Sequence, residues 1–124
     1  EELAERVVAA SDGAAVRSFP TSLLAYVELA RRARLVVAAD TGPLHLACAV
    51  GAPVVALFGP TDPARNGPFD PDDVVIRRTP PCAPCYSRGC TRHAGIMAEI
   101  PVEEVLAATD RRLSSAPESP PDAV

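Results

Sequence analysis

Apolar residues open the chain at helical spacing. Leu3, Val7 and Ala10 share one face of residues 1–10, and Glu1, Glu2 and Glu5 lie early, where a helix dipole favours anions. Ser11-Asp12-Gly13 has turn chemistry, and a short strand is expected over 14–17 before Phe19-Pro20 breaks it. Thr21 or Ser22 can cap the next helix, in which Leu23, Leu24, Val27 and Ala30 form a stripe. That helix ends in Arg31-Arg32-Ala33-Arg34, at the pole where cations are tolerated.

A change of period follows. Residues 35–39 (LVVAA) are an unbroken apolar run rich in branched side chains, the pattern of a strand buried on both faces. Asp40-Thr41-Gly42-Pro43 interrupts it. Residues 44–50 then read as a helix, with Pro43 near its start and Gly51 just past its end. Pro53 resets the chain for a second buried strand, residues 54–58, closed by Gly59-Pro60. Two such strands around one helix make a βαβ unit, whose strands must run parallel. The fold class expected is therefore α/β, with a Rossmann-like parallel sheet. Seven of the fourteen prolines lie from Pro60 to Pro84, so loops dominate there, apart from a strand-like Val74-Val75-Ile76. Pro101 opens a last amphipathic helix through Val105, Leu106 and Leu113. From Ser114 the composition loses its apolar period and predicts a disordered tail over 114–124, leaving residues 1–113 as the folded domain.

With 124 residues, the chain has material for one domain of ordinary size. Apolar residues make up 48% and charged residues 23%, a globular composition. Twelve arginines and no lysine oppose sixteen acidic residues, for a net charge of −4. Without a basic stripe, nucleic acid is not an expected partner, and lysine chemistry is excluded. No apolar run has the length of a membrane span, and no signal-peptide pattern is present. The first residue is Glu1 and the sole methionine is Met97, which points to a piece of a longer protein.

The chemistry concentrates in residues 39–63, ADTGPLHLACAVGAPVVALFGPTDP. Ligands of parallel α/β sheets settle beyond the carboxyl ends of the strands, where Asp40-Thr41-Gly42 and Gly59-Pro60-Thr61-Asp62 both fall. Gly42 permits close backbone approach, Thr41 brings a hydroxyl, and the amides of Thr41, Gly42, Leu44 and His45 are candidate donors at a helix N-terminus. Such a site suits a phosphate. His45, in the first turn, could add a hydrogen bond or a charge, or could simply fill a gap beside the sheet. Asp40 could equally be a cap of its turn, and Thr61-Asp62 could be turn residues alone. Cys82, Cys85, Cys90 and His93 form a ligand inventory for structural zinc, with a disulfide or free thiols as the alternatives. Cys48, inside the helix after His45, reads as a small core residue.

The string Asp40-Thr41-Gly42-Pro43-Leu44-His45, with Gly51 to Pro63 behind it, resembles the C-terminal half of glycosyltransferase family nine, the ADP-heptose lipopolysaccharide heptosyltransferases and their relatives. The likeness extends from the first helix to about Leu113. It departs at Phe19-Pro20, where the family usually has Gly-Lys, and at Ile96-Met97, where many relatives carry a fourth cysteine. The resemblance implies the glycosyltransferase B fold, with Asp40, Thr41, Gly42, Leu44 and His45 lining the donor's diphosphate pocket. It also implies transfer of a sugar, heptose in the first instance, from ADP-heptose or a similar nucleotide-sugar to lipopolysaccharide core or a related glycan, with no metal or cofactor required. His45 would stabilise the leaving group, while the general base and acceptor site would lie in an N-terminal domain outside this chain. A cytoplasmic place at the inner face of the inner membrane, with peripheral membrane association of the longer protein, follows from the same likeness. A non-catalytic nucleotide-binding module of this shape is the alternative, and a zinc-built interaction domain over residues 82–93 is a third.

Overall fold

The computed structural model describes residues 2–87 and 95–116. Helix α1 (Glu2–Ala10) and helix α2 (Leu23–Arg32) precede strand β1 (Val36–Ala39), helix α3 (Gly42–Ala49) and strand β2 (Val54–Phe58). A single helical turn, α4 (Pro63–Asn66), strand β3 (Val74–Arg77), a 3-10 turn (Ile96–Glu99) and helix α5 (Val102–Ser115) complete the order. The three strands form one parallel sheet in the order β1-β2-β3. Val36 lies beside Val54, and Val55 beside Val74. The expected parallel α/β class is what the chain adopts.

β2 is central, so both of its faces are covered. Val54, Ala56 and Phe58 enter one core with Leu44, Ala47 and Ala30, on the α2–α3 side. Val55 enters a second core with Val74, Ile76 and Ala108, beneath α5. β1, expected to be buried on both faces, alternates instead: Val36 and Ala38 pack on the first core while Val37 is 46% exposed. The cause is position. β1 lies at the sheet edge, and the second core, built on β2, β3 and α5, does not extend to it.

Four other expectations change. Residues 14–17 form no strand; Val16 is exposed, and Arg17 instead pairs with Glu5 of α1 at 2.9 Å. In α2 only the later half of the stripe is turned inward: Ala30 is buried and Val27 half-buried as expected, whereas Leu23 and Leu24 are exposed and Tyr26 packs on the core instead. The proline-rich stretch contains α4, with the Asp62 side chain accepting from the Ala64 amide and Pro63 at the first turn. Helix α5 continues to Ser115, past the tail boundary set at Ser114, because Ser114 donates to the Asp110 carbonyl and Ser115 to that of Arg112. The rest of the expected tail, 117–124, lies outside the described residues.

Two local signals act as read. Ser22 caps α2 by accepting from the Ala25 amide at 3.2 Å. Gly51 ends α3 with φ +71°, its amide bonded to the Cys48 carbonyl. Replacing Ser22 by Ala should cost about 0.5–2 kcal/mol, visible as a lower midpoint in urea or thermal unfolding. An unchanged midpoint would mean that the exposed start of α2 contributes nothing to stability.

Candidate functional site

Asp40 leaves the end of β1 with its amide still bonded to the Leu57 carbonyl of β2, which fixes where its carboxylate starts. Three side chains converge on that carboxylate. His45 Nε2 lies 3.1 Å from Oδ1. Thr61 Oγ1 donates to Oδ2 at 2.6 Å, and Asn66 Nδ2 donates to the same oxygen at 3.2 Å. The Asp40 side chain is 11% exposed and that of His45 47% exposed, so the carboxylate is turned inward and the imidazole outward.

The backbone narrows the donor set. The Leu44 and His45 amides, expected to point outward, both reach back to the Thr41 carbonyl, at 3.1 and 3.4 Å. The Leu44 side chain is fully buried in the first core, so Leu44 serves the fold. Thr41 is the N-cap in extended conformation, and its hydroxyl donates to the Ala39 carbonyl at 3.1 Å. An anion would have to draw that hydroxyl away from Ala39. The Thr41 and Gly42 amides remain, with no acceptor among the described residues. A Cβ placed on Gly42 would meet nothing within 4 Å, so the space over this turn is open. Tyr26 anchors the turn from α2, its hydroxyl donating to the Pro43 carbonyl at 3.0 Å; burial raises the phenol's pKa and keeps it a donor.

Of the second loop, Thr61 joins the Asp40 cluster, whereas Asp62 caps α4 and faces Arg77 at 3.8 Å. Asn66 is a member of the cluster that the sequence reading missed. The available signal was Asp62-Pro63, a cap followed by a first-turn proline, which places Asn66 at the end of a helical turn. His45, Cys48 and Ala49 border a cavity of about 370 Å³, shared with Phe69, Asp70 and Asp73. Burial, with a smaller effect from the Asp73 charge, pushes the Cys48 thiol up, so it stays protonated and unreactive. In a timed alkylation Cys48 should react more slowly than exposed Cys82; equal rates would contradict its placement against the core.

Cys82 is exposed and Cys85 half-buried, both with free thiols. Cys90 and His93 lie outside the described residues. Among the described residues no group of three or more metal-ligating side chains is assembled. No described helix is long and apolar enough to cross a membrane.

A parallel sheet with a polar cluster at the carboxyl ends of its strands defines an α/β protein in keeping with a Rossmann-like glycosyltransferase fold. Sequence comparison narrows this class. The chain belongs to glycosyltransferase family 9 (heptosyltransferase), whose family model matches residues 1–94. It is 40% identical over 90 residues to lipopolysaccharide heptosyltransferase 1 of Pseudomonas aeruginosa, covering 73% of this chain and 25% of that protein. To lipopolysaccharide heptosyltransferase 3 of Escherichia coli it is 34% identical over 94 residues, covering 72% of this chain and 25% of the relative. To lipooligosaccharide heptosyltransferase 2 of Haemophilus influenzae it is 39% identical over 57 residues, 46% of this chain and 16% of the relative. The chain thus spans about a quarter or less of the length of these curated relatives. No solved structure matches it.

Proposed function

We propose that this chain is the donor-binding part of a glycosyltransferase that moves a sugar, heptose in the first instance, from a nucleoside diphosphate to lipopolysaccharide core or a related glycan. The observation that carries the reading is the Asp40–His45 pair, which sets an outward imidazole beside the open N-terminus of α3 at the carboxyl edge of the sheet. The diphosphate would lie over Gly42, against the Thr41 and Gly42 amides and the positive end of the helix dipole. His45 Nε2 faces Asp40, so the ring can donate to a second acceptor through Nδ1 only as imidazolium, with Asp40 balancing its charge.

The chemistry follows from where charge develops. As the bond between the sugar's anomeric carbon and the diphosphate oxygen breaks, its electrons pass to that oxygen. The acceptor hydroxyl oxygen bonds the same carbon, and its proton goes to a base in the N-terminal domain of the longer protein. Preorganised amides and the imidazolium would stabilise the departing diphosphate, supplying positive charge that a divalent metal supplies in other enzymes. The chain alone would therefore bind a nucleoside diphosphate but not transfer sugar. Binding of ADP is the test, with shifts at the Thr41, Gly42 and His45 resonances expected and a silent titration contradicting the reading. The cytoplasmic location, and the peripheral membrane association of the longer protein, belong to the same proposal.

Structural zinc at Cys82, Cys85, Cys90 and His93 is a further proposal. The two described cysteines suit it, as both carry free thiols and Cys82 is exposed. Protein prepared under reducing conditions should carry about one equivalent of zinc. Elemental analysis without zinc would leave these residues as ordinary loop thiols.

A further inference from the structure

Asn66 and Thr61 lie 26 and 21 positions from Asp40 in the chain, yet both spend their side-chain donors on one oxygen of its carboxylate. Neither bond is needed to build the sheet or to cap α4, whose cap is Asp62. Their common effect is on Asp40: with Oδ2 held by two donors, the carboxylate cannot rotate, and Oδ1 is left for His45 Nε2 at 3.1 Å. A neutral imidazole carries its proton on the nitrogen that donates, so an Asp40 fixed in this way selects the Nε2–H tautomer and leaves Nδ1 as the nitrogen that must gain a proton before the ring can donate to an anion.

We propose that Thr61 and Asn66 are positioning residues that lock Asp40, and through it the tautomer and orientation of His45, so that the loop from Gly59 to Asn66 controls how α3 receives an anion. The proposal rests on the donor-site reading only for its consequence in binding; the lock itself is a property of the ligand-free protein. The loop is well placed for such control. It leaves the end of β2, the strand paired to β1, and its short helix begins on its own Asp-Pro signal. Disturbing the loop would release Asp40 without disturbing the core beneath it. Leu44 and Phe58, which build that core, are fully buried and take no part in the polar cluster.

The experiment has two readouts on the 124-residue chain. The first is the pair of His45 ring nitrogen shifts at alkaline pH, where they report the tautomer of the neutral ring, and the second is titration with ADP. Thr61→Val and Asn66→Leu should each move the ring shifts from the Nε2–H pattern towards a mixture and weaken ADP binding about three- to tenfold, less than the roughly tenfold or more of a hydrogen bond made directly to a charged group, because the loss reaches ADP only through His45. Thr61→Ser, which restores the hydroxyl, should return both readouts to wild type; a general loss of packing would not be rescued in this way. Ring shifts that stay at the wild-type values in the Thr61→Val/Asn66→Leu double variant would overturn the lock. If the ring shifts respond while wild-type protein binds no ADP, the lock stands and the donor-site reading falls.

Discussion

Asp73→Ala should lower the thermal midpoint more than any other single change considered for this chain. The Asp73 carboxylate accepts from the Val54 amide at the start of the central strand and from Arg112 Nε of α5, both at 2.9 Å. Its side chain is 3% exposed and that of Arg112 6% exposed. Removing one member of a buried pair leaves an uncompensated charge, a loss of about 3–5 kcal/mol, which for a domain of this size is roughly 10 °C or more in Tm. Arg112→Met should be nearly as harmful, since it leaves the carboxylate buried beside a single amide. The Asp73→Ala/Arg112→Met double variant should lose less than the sum of the two single losses, because neither charge then remains. Additive losses in calorimetry would show that the pair is not coupled and that α5 is held by its apolar face alone.

The second large effect concerns function and leaves the fold alone. Gly42 has no positive φ, and a Cβ there would meet nothing within 4 Å, so Gly42→Val should fold with an unfolding stability within about 1 kcal/mol of wild type. The added methyl groups would occupy the place proposed for the diphosphate, and ADP binding should fall below detection. His45→Ala removes the imidazole proposed to donate to the diphosphate and should weaken ADP binding in the isolated chain. In the full-length enzyme it should lower kcat by about a hundredfold or more, as loss of one donor to a developing anion commonly does. A Gly42→Val protein that binds ADP as wild type does would move the anion away from this turn.

Much of this arrangement is legible in the sequence because the decisive signals are local. Residues 35–39 and 54–58 are apolar runs closed by Asp40 and Gly59, and α3 is bracketed by Pro43 and Gly51. The turn that holds Asp40, Thr41 and Gly42 follows from those boundaries. What escaped the reading depends on neighbours. Val37 looks as buried as Val55, and only strand order makes the one an edge residue and the other a core residue. Tyr26 outranks Leu23 and Leu24 as the inward residue of α2 because α3 crosses beside it, and no period within ten residues reports that. The Leu44 and His45 amides are drawn inward by the Thr41 carbonyl, a detail of the first helical turn that spacing does not resolve. Asn66 reaches Asp40 across 26 positions, a distance at which a sequence pattern carries no geometric information.

The most direct test of the central claim is a calorimetric titration of the 124-residue chain with ADP, run on wild type and Gly42→Val side by side, with unfolding midpoints measured on the same samples. Weak, saturable binding by wild type and none by Gly42→Val at an unchanged midpoint is the expected result. Equal binding by the two proteins, or no binding by a folded wild-type chain, would contradict it.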